Sequence, residues 1–225
     1  MNIFKALLLL FLFPVFCFAG EGGASTVGDG GQGIDCDGKH LLEFYEARNA
    51  YGFEPSFGAK FYQDILNNVK TAIHIARKRF QGAYGPNVQV EEGFRLALHI
   101  ASHIKANMAW ISHRKLKLIN DVGPLDVRLP KGCSIFQAAY FQSRTQLKPR
   151  IVFYESVFSE FPNNDISALI LHEAFHVIFS KENHNKALRQ FIIFLSAPRE
   201  FREKNKELFK ILYDKKTFLP NGFYR

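Results

Sequence analysis

The stretch "LILHEAFHVIF" (Leu169–Phe179) sets His172, Glu173 and His176 inside an otherwise apolar run. Leu, Ile, Val and Phe on every side predict a helix buried all round, where an unpartnered polar side chain costs a few kcal/mol. Three polar groups in such a place call for a partner. His172 and His176 are four residues apart, so on a helix they lie about 40° from one another around the axis and can ligate one metal ion. Glu173 lies about 60° around from His176, within reach of a water on that metal without being a ligand. Upstream, Asn164 or Asp165 stands where an N-cap is expected, and "RIVFYES" (150–156) reads as a strand feeding the helix.

Outward from this helix, the chain begins with "MNIFKALLLLFLFPVFCFAG": Lys5, an apolar stretch, then the small residue Ala19. This reads as a secretory signal peptide over 1–19, cleaved near Ala19. Pro14 and the short apolar core argue against a retained transmembrane anchor, so none is expected in the mature form. A secreted or periplasmic location follows from export. Of the three cysteines, Cys17 leaves with the signal and Cys36 and Cys133 are expected to pair in an oxidising compartment. From Gly20 to Gly38 eight residues are glycine, and 20–35 is expected as a flexible leader, with order starting near Cys36. Residues 36–225 then form one domain, and the 24 Phe of the chain suit an aromatic-rich core.

The formal charge is +8, or +7 without Lys5, a surplus that suits an anionic cell-envelope surface. The densest basic groups, 77–79 and 199–206, are not interleaved with aromatics as a nucleic-acid groove would be, so no nucleic-acid partner is expected. "HLLEFYEARNAY", "AKFYQDILNNVKTAIHIARKRF" and "EEGFRLALHIASHIKANMAW" carry apolar residues at three- and four-residue spacing, which predicts a helical first half. After Trp110, "KLKLI", "DVRLP", "SIFQAAYF" and "RIVFYES" are split by Gly and Pro and predict a small mixed sheet. Two amphipathic stretches, about 185–195 and 200–213, close the chain. The fold class expected is α+β. His99 and His103 repeat the four-residue spacing, but on the polar side of their helix, where a solvated face is the reading.

The residues His172, Glu173, Ala174, Phe175 and His176 match the His-Glu-x-x-His motif, and here the chain resembles the zincin metallopeptidases. The resemblance covers this helix and the strand before it. It implies a zincin-like fold, a zinc ion held by His172, His176 and a third ligand, and Glu173 as general base toward a peptide or protein substrate. Zinc would lower the pKa of the attacking water from 15.7 to about 7 and polarise the scissile carbonyl, with Glu173 passing a proton to the leaving amine. It also implies an edge strand that aligns the substrate backbone, and "RIVFYES" stands in that place.

For the third ligand, the metzincin branch points to Glu182, six residues after His176. Phe179 replaces the glycine of that branch, and no methionine follows for its methionine turn. His184 offers a nitrogen ligand two residues on, a gluzincin-like arrangement would use Glu200, and Cys133 in "KGCSIF" stands where a peptide deformylase has its cysteine ligand. Beside the peptidase reading stands a non-catalytic zincin-like envelope protein that binds an anionic polymer or a protein partner.

Overall fold

The computed structural model describes residues 26–27, 31–58, 65–103, 109–112, 114–116, 118, 125–144, 147–176 and 184–205. Seven strands and seven helices occur among them, in mixed α+β order. The chain enters through β1 (Thr26–Val27), β2 (Gln32–Asp35) and β3 (Lys39–Leu41), then α1 (Leu42–Asn49), α2 (Ile65–Tyr84) and α3 (Val88–His103). Strands β4 (Ala109–Ser112), β5 (Ser134–Gln137), β6 (Ala139–Arg144) and β7 (Leu147–Tyr154) follow. Helices α4 (Ser156–Glu160), α5 (Asn163–His176), α6 (His184–Ser196) and α7 (Arg199–Lys204) complete the described chain.

One sheet has the order β1-β6-β7-β4, with β4 and β7 parallel and the other pairs antiparallel; the second has the antiparallel order β3-β2-β5. Several expectations change here. "RIVFYES" lies mostly in β7, which is flanked by β6 and β4 and is therefore a central strand, not the edge. The local pattern of a strand cannot report its neighbours, because strand order is fixed by pairing between distant segments. Of "KLKLI", Leu116 makes only an isolated bridge to Gln137, and "DVRLP" is not a strand. Trp110, placed at the end of a helical pattern, is in β4, since α3 ends at His103. The stretch expected as a flexible leader supplies β1 and β2, and Gln32, Gly33 and Ile34 are buried. Glycine permits this through absence of bulk: a Cβ placed on Gly33 would lie 2.3 Å from the ring of Phe136 across the β2–β5 pair.

The β2–β3 turn, Cys36–Gly38, closes with the Cys36 N–H donating to the Gly38 carbonyl (3.2 Å), and Gly38 takes φ 129°, which favours glycine. Cys36 and Cys133 form the expected disulfide beside the paired residues Asp35 and Ser134.

Helix α5 is central. It packs against α2, α3 and α6 and touches β3 and β6. Ile166 and the run Ala168–Leu171, with Ala174 and Phe175, are all buried, so no face is left for solvent and the all-round apolar pattern is explained. Phe175 stacks edge-on against Phe94 (centroids 5.0 Å) and tilts against Phe191 (4.7 Å), and Phe80 joins the same group at 5.8 Å from Phe191. The helix starts at Asn163, directly after Pro162, two or three residues earlier than an N-cap at Asn164 or Asp165 would give. Asp165 thus sits in the first turn, where its charge suits the helix dipole, and its Oδ2 accepts the Leu41 N–H at 2.8 Å. It ties α5 to β3 instead of capping its own helix.

Candidate functional site

His172 and Glu173 are positioned by the last turns of α5, 4 % and 0 % exposed. From α1, Glu43 reaches the same place, 1 % exposed. His172 Nδ1 and Glu43 Oε1 are hydrogen-bonded. A carboxylate oxygen accepts, so Nδ1 carries a proton, and in the neutral ring Nε2 keeps its lone pair. That Nε2 is buried and has no hydrogen-bond partner among the described residues. His176 ends the described part of α5, with its ring centroid 6.2 Å from that of His172 and the planes 39° apart. Its Nε2 is likewise shielded from solvent.

Glu173 is held from the other side. The backbone N–H of Gly31, just ahead of β2, donates to Glu173 Oε1 at 2.5 Å, and Oε2 is buried with no partner among the described residues. The carbonyl of Gly31 accepts the N–H groups of Ala138 and Ala139, both at 3.0 Å, and Gln137 Nε2 at 3.3 Å. A Cβ here would lie 2.1 Å from Leu169 Cδ1 and 3.2 Å from Glu173 Oε1, so a larger residue would force the Leu169 side chain to shift.

The electrostatics follow from burial and proximity. Burial pushes the Glu173 carboxyl up to about 7, against the opposing pull of His172 and the Gly31 N–H and with help from the Glu43 charge. For His172, burial alone would lower the pKa, but the adjacent Glu43 outweighs it and the net direction is upward. A base poised near neutrality, beside an imidazole whose far nitrogen is free, is an arrangement suited to proton transfer.

The donor chemistry fits zinc as far as it goes. Imidazole nitrogens are zinc ligands, and a carboxylate on the far ring nitrogen fixes the tautomer and raises ligand basicity. The orphaned Nε2 of His172 and Oε2 of Glu173 are the groups such an ion and a water would satisfy. Among the described residues no group of three or more His, Cys, Asp or Glu is gathered closely enough to hold a metal ion by itself. Of the third-ligand candidates, Glu182 lies outside the described residues. His184 is the first residue of α6. Glu200 is solvent-exposed on α7. Cys133 is consumed by its bond to Cys36 and is removed from the set. His99 is exposed on α3, as its polar face required.

Two participants were not singled out from sequence. Glu43 had a signal: in "HLLEFYEAR" it is surrounded by Leu41, Leu42, Phe44 and Ala47, all buried, so it is as misplaced in its helix as His172 is in α5. Gly31 had almost none, because what it contributes is a backbone N–H. No family model matches the chain, and no curated protein or solved structure matches it either. No described helix is long and apolar enough to cross a membrane.

Proposed function

We propose that this chain is an exported zinc-dependent peptidase in which Glu173 is the general base. The observation that carries the reading is the pair of atoms His172 Nε2 and Glu173 Oε2, each buried and without a hydrogen-bond partner among the described residues, on adjacent residues of one helix whose other side-chain atoms are fixed by Glu43 and Gly31. Each residue keeps one atom oriented and unspent, which is how a ligand and a base are prepared for an ion and a water.

His172 and His176 would hold the zinc through their imidazoles, with the third ligand drawn from Glu182 or His184. When bound, zinc supplies Lewis acidity that lowers the pKa of a water and polarises a carbonyl. The chain's own residues do the rest. Glu43 holds the His172 ring in the tautomer that leaves Nε2 able to ligate. Glu173 takes a proton on Oε2 and delivers it to the leaving amine. The apolar packing around α5 keeps bulk water out and strengthens each of these interactions. A binding protein on the same scaffold would need the histidines but not a carboxylate with one oxygen held by Gly31 and the other left unspent, so the placement of Glu173 favours turnover.

The test is a comparison of wild type with Glu173→Gln on a mixed peptide library after zinc loading. Cleavage by wild type that the variant lacks supports the peptidase. Equal cleavage by both sinks it. Zinc content of wild type against His176→Ala tests the metal separately, with one equivalent expected in the first and less in the second.

A further inference from the structure

Asp165, on the first turn of α5, is 1 % exposed, and only one of its oxygens is committed. Oδ2 accepts the Leu41 N–H at 2.8 Å, while Oδ1 is buried with no hydrogen-bond partner among the described residues. A buried carboxylate oxygen in that state is costly unless something meets it. Facing the same carboxylate from β3 is His40, whose Nδ1 is also buried without a partner among the described residues and lies 3.7 Å from Asp165 Oδ2. That separation is too long for a hydrogen bond. A proton on Nδ1 is a donor left unused, and without one a lone pair is turned toward a carboxylate, so neither tautomer is satisfied. The other ring nitrogen, Nε2, lies over the β2–β3 turn, where a Cβ on Gly38 would be 3.7 Å away.

The neighbouring cations are committed elsewhere. Arg48 stands within electrostatic reach of Asp165, but it grips Glu54 with two nitrogens, Nε and Nη2, each at 2.9 Å from a carboxylate oxygen. Lys39, next to His40, is paired with Glu160. A divalent ion would meet both orphaned atoms at once. Zinc takes an imidazole nitrogen and a carboxylate oxygen at about 2.0–2.2 Å each, so the two bonds together reach about 4 Å and can span the gap with a bend at the metal.

We propose that His40 Nδ1 and the Asp165 carboxylate form a second divalent-metal site, suited to zinc or to cobalt or nickel, with water completing the coordination. The His40 ring is partly exposed, which gives the ion its entry and the waters their place. This site shares no ligand with the proposed peptidase centre: Asp165 precedes His172 by seven residues, about 10 Å along the helix axis. Its role is a fastening. Leu41 immediately precedes α1, so Asp165 already ties α5 to the start of the helix from which Glu43 reaches His172. An ion on Asp165 and His40 adds β3 to that joint and holds all three elements together.

The experiment titrates zinc alone into the chelator-stripped full chain against a chromophoric chelator, with circular dichroism and a thermal melt on every protein. The expected result is that His40→Ala binds one equivalent fewer than wild type and loses the rise in Tm that goes with it, while His172→Ala keeps both. Asp165→Asn retains an acceptor for the Leu41 N–H but not the charge, and is expected to lose the same equivalent; if it fails to fold, His40→Ala decides alone. Zinc binding by His40→Ala equal to wild type overturns the inference. So does an equal loss in His74→Ala, which removes an exposed histidine of α2 and would mark the ion as adventitious surface binding. If His172→Ala loses an equivalent and His40→Ala does not, the second site falls and the peptidase centre stands.

Discussion

Helix α1 sends two buried glutamates, Glu43 and Glu46, one turn apart toward the core, and they meet different ends. Glu46 is closed: its Oε2 accepts Arg189 Nε at 3.1 Å and its Oε1 accepts the Asp126 N–H at 3.0 Å. Burial raises its pKa, and the charge of Arg189 opposes the rise. Asp126 in turn accepts from the Tyr51 hydroxyl (2.7 Å) and from Lys186 (3.2 Å), so the network runs out to solvent with its members paired. Glu43 is open: it binds His172 through Oε1, and its Oε2 has no partner among the described residues, like His172 Nε2 and Glu173 Oε2. Equal burial therefore does not mean equal purpose. A satisfied ionic network fixes an arrangement of helices, whereas a cluster that orients its groups and leaves atoms unspent is what the proposed metal and water would complete.

Substitutions separate the two. The largest expected effect is on turnover: Glu173→Gln lowers kcat by about 10²–10⁴-fold, read by peptide hydrolysis at saturating substrate, with zinc content unchanged. Next is Arg189→Leu, which strands Glu46 without its counter-charge and is expected to cost about 3–5 kcal/mol in urea unfolding while leaving zinc affinity per folded molecule unaltered. Glu43→Gln should do the reverse, weakening zinc binding about 10–100-fold in competition with a chelator and shifting the unfolding midpoint little. If Glu43→Gln proves the more destabilising and zinc affinity does not move, the distinction between open and closed carboxylates is broken.

The smallest expected effect is on the pH dependence of the metal-free protein. The Glu173 carboxyl has a folded pKa of about 7 against 4.5 unfolded, so the folded state binds the extra proton and stability falls as pH rises through that window. His172 has the same sign: its folded pKa is raised above 6.5, so its contribution is full below that value and is lost as pH climbs through the folded one. Both losses run one way. Thermal unfolding of the chelated protein should show its highest midpoint in mild acid and a decline toward about pH 8, with Glu173→Gln flattening the lower part of the decline.

What could be read from sequence divides along the same physical line. That His172, Glu173 and His176 share one helix was legible because helical spacing is written locally. The Cys36–Cys133 bond was legible from the cysteine count together with the expectation of export. The burial of α5 followed from its unbroken apolar run. Glu43 was hidden because its partner is 129 residues away, and Gly31 because its partner is 142 away and the contact uses only backbone. Asp165 was taken for a local cap, yet its acceptor role is to Leu41, 124 residues distant. The strand "RIVFYES" was recognisable as a strand, but its central position depends on β4 and β6, which pair with it from elsewhere in the chain.

The disulfide also has a topological consequence. Cys36 and Cys133, separated by 97 positions, turn the middle of the chain into a closed ring with two tails. Glu43 belongs to the ring, Gly31 to the tail before it, and His172, Glu173 and His176 to the tail after it. The site is thus a three-way junction, completed only when both tails dock on the ring. Opening the ring returns to the unfolded chain conformational freedom worth about 4–5 kcal/mol in the loop-entropy view, and it also unfastens the strand that delivers Gly31. In this molecule the redox state of one bond decides how far apart the pieces of the site are allowed to wander.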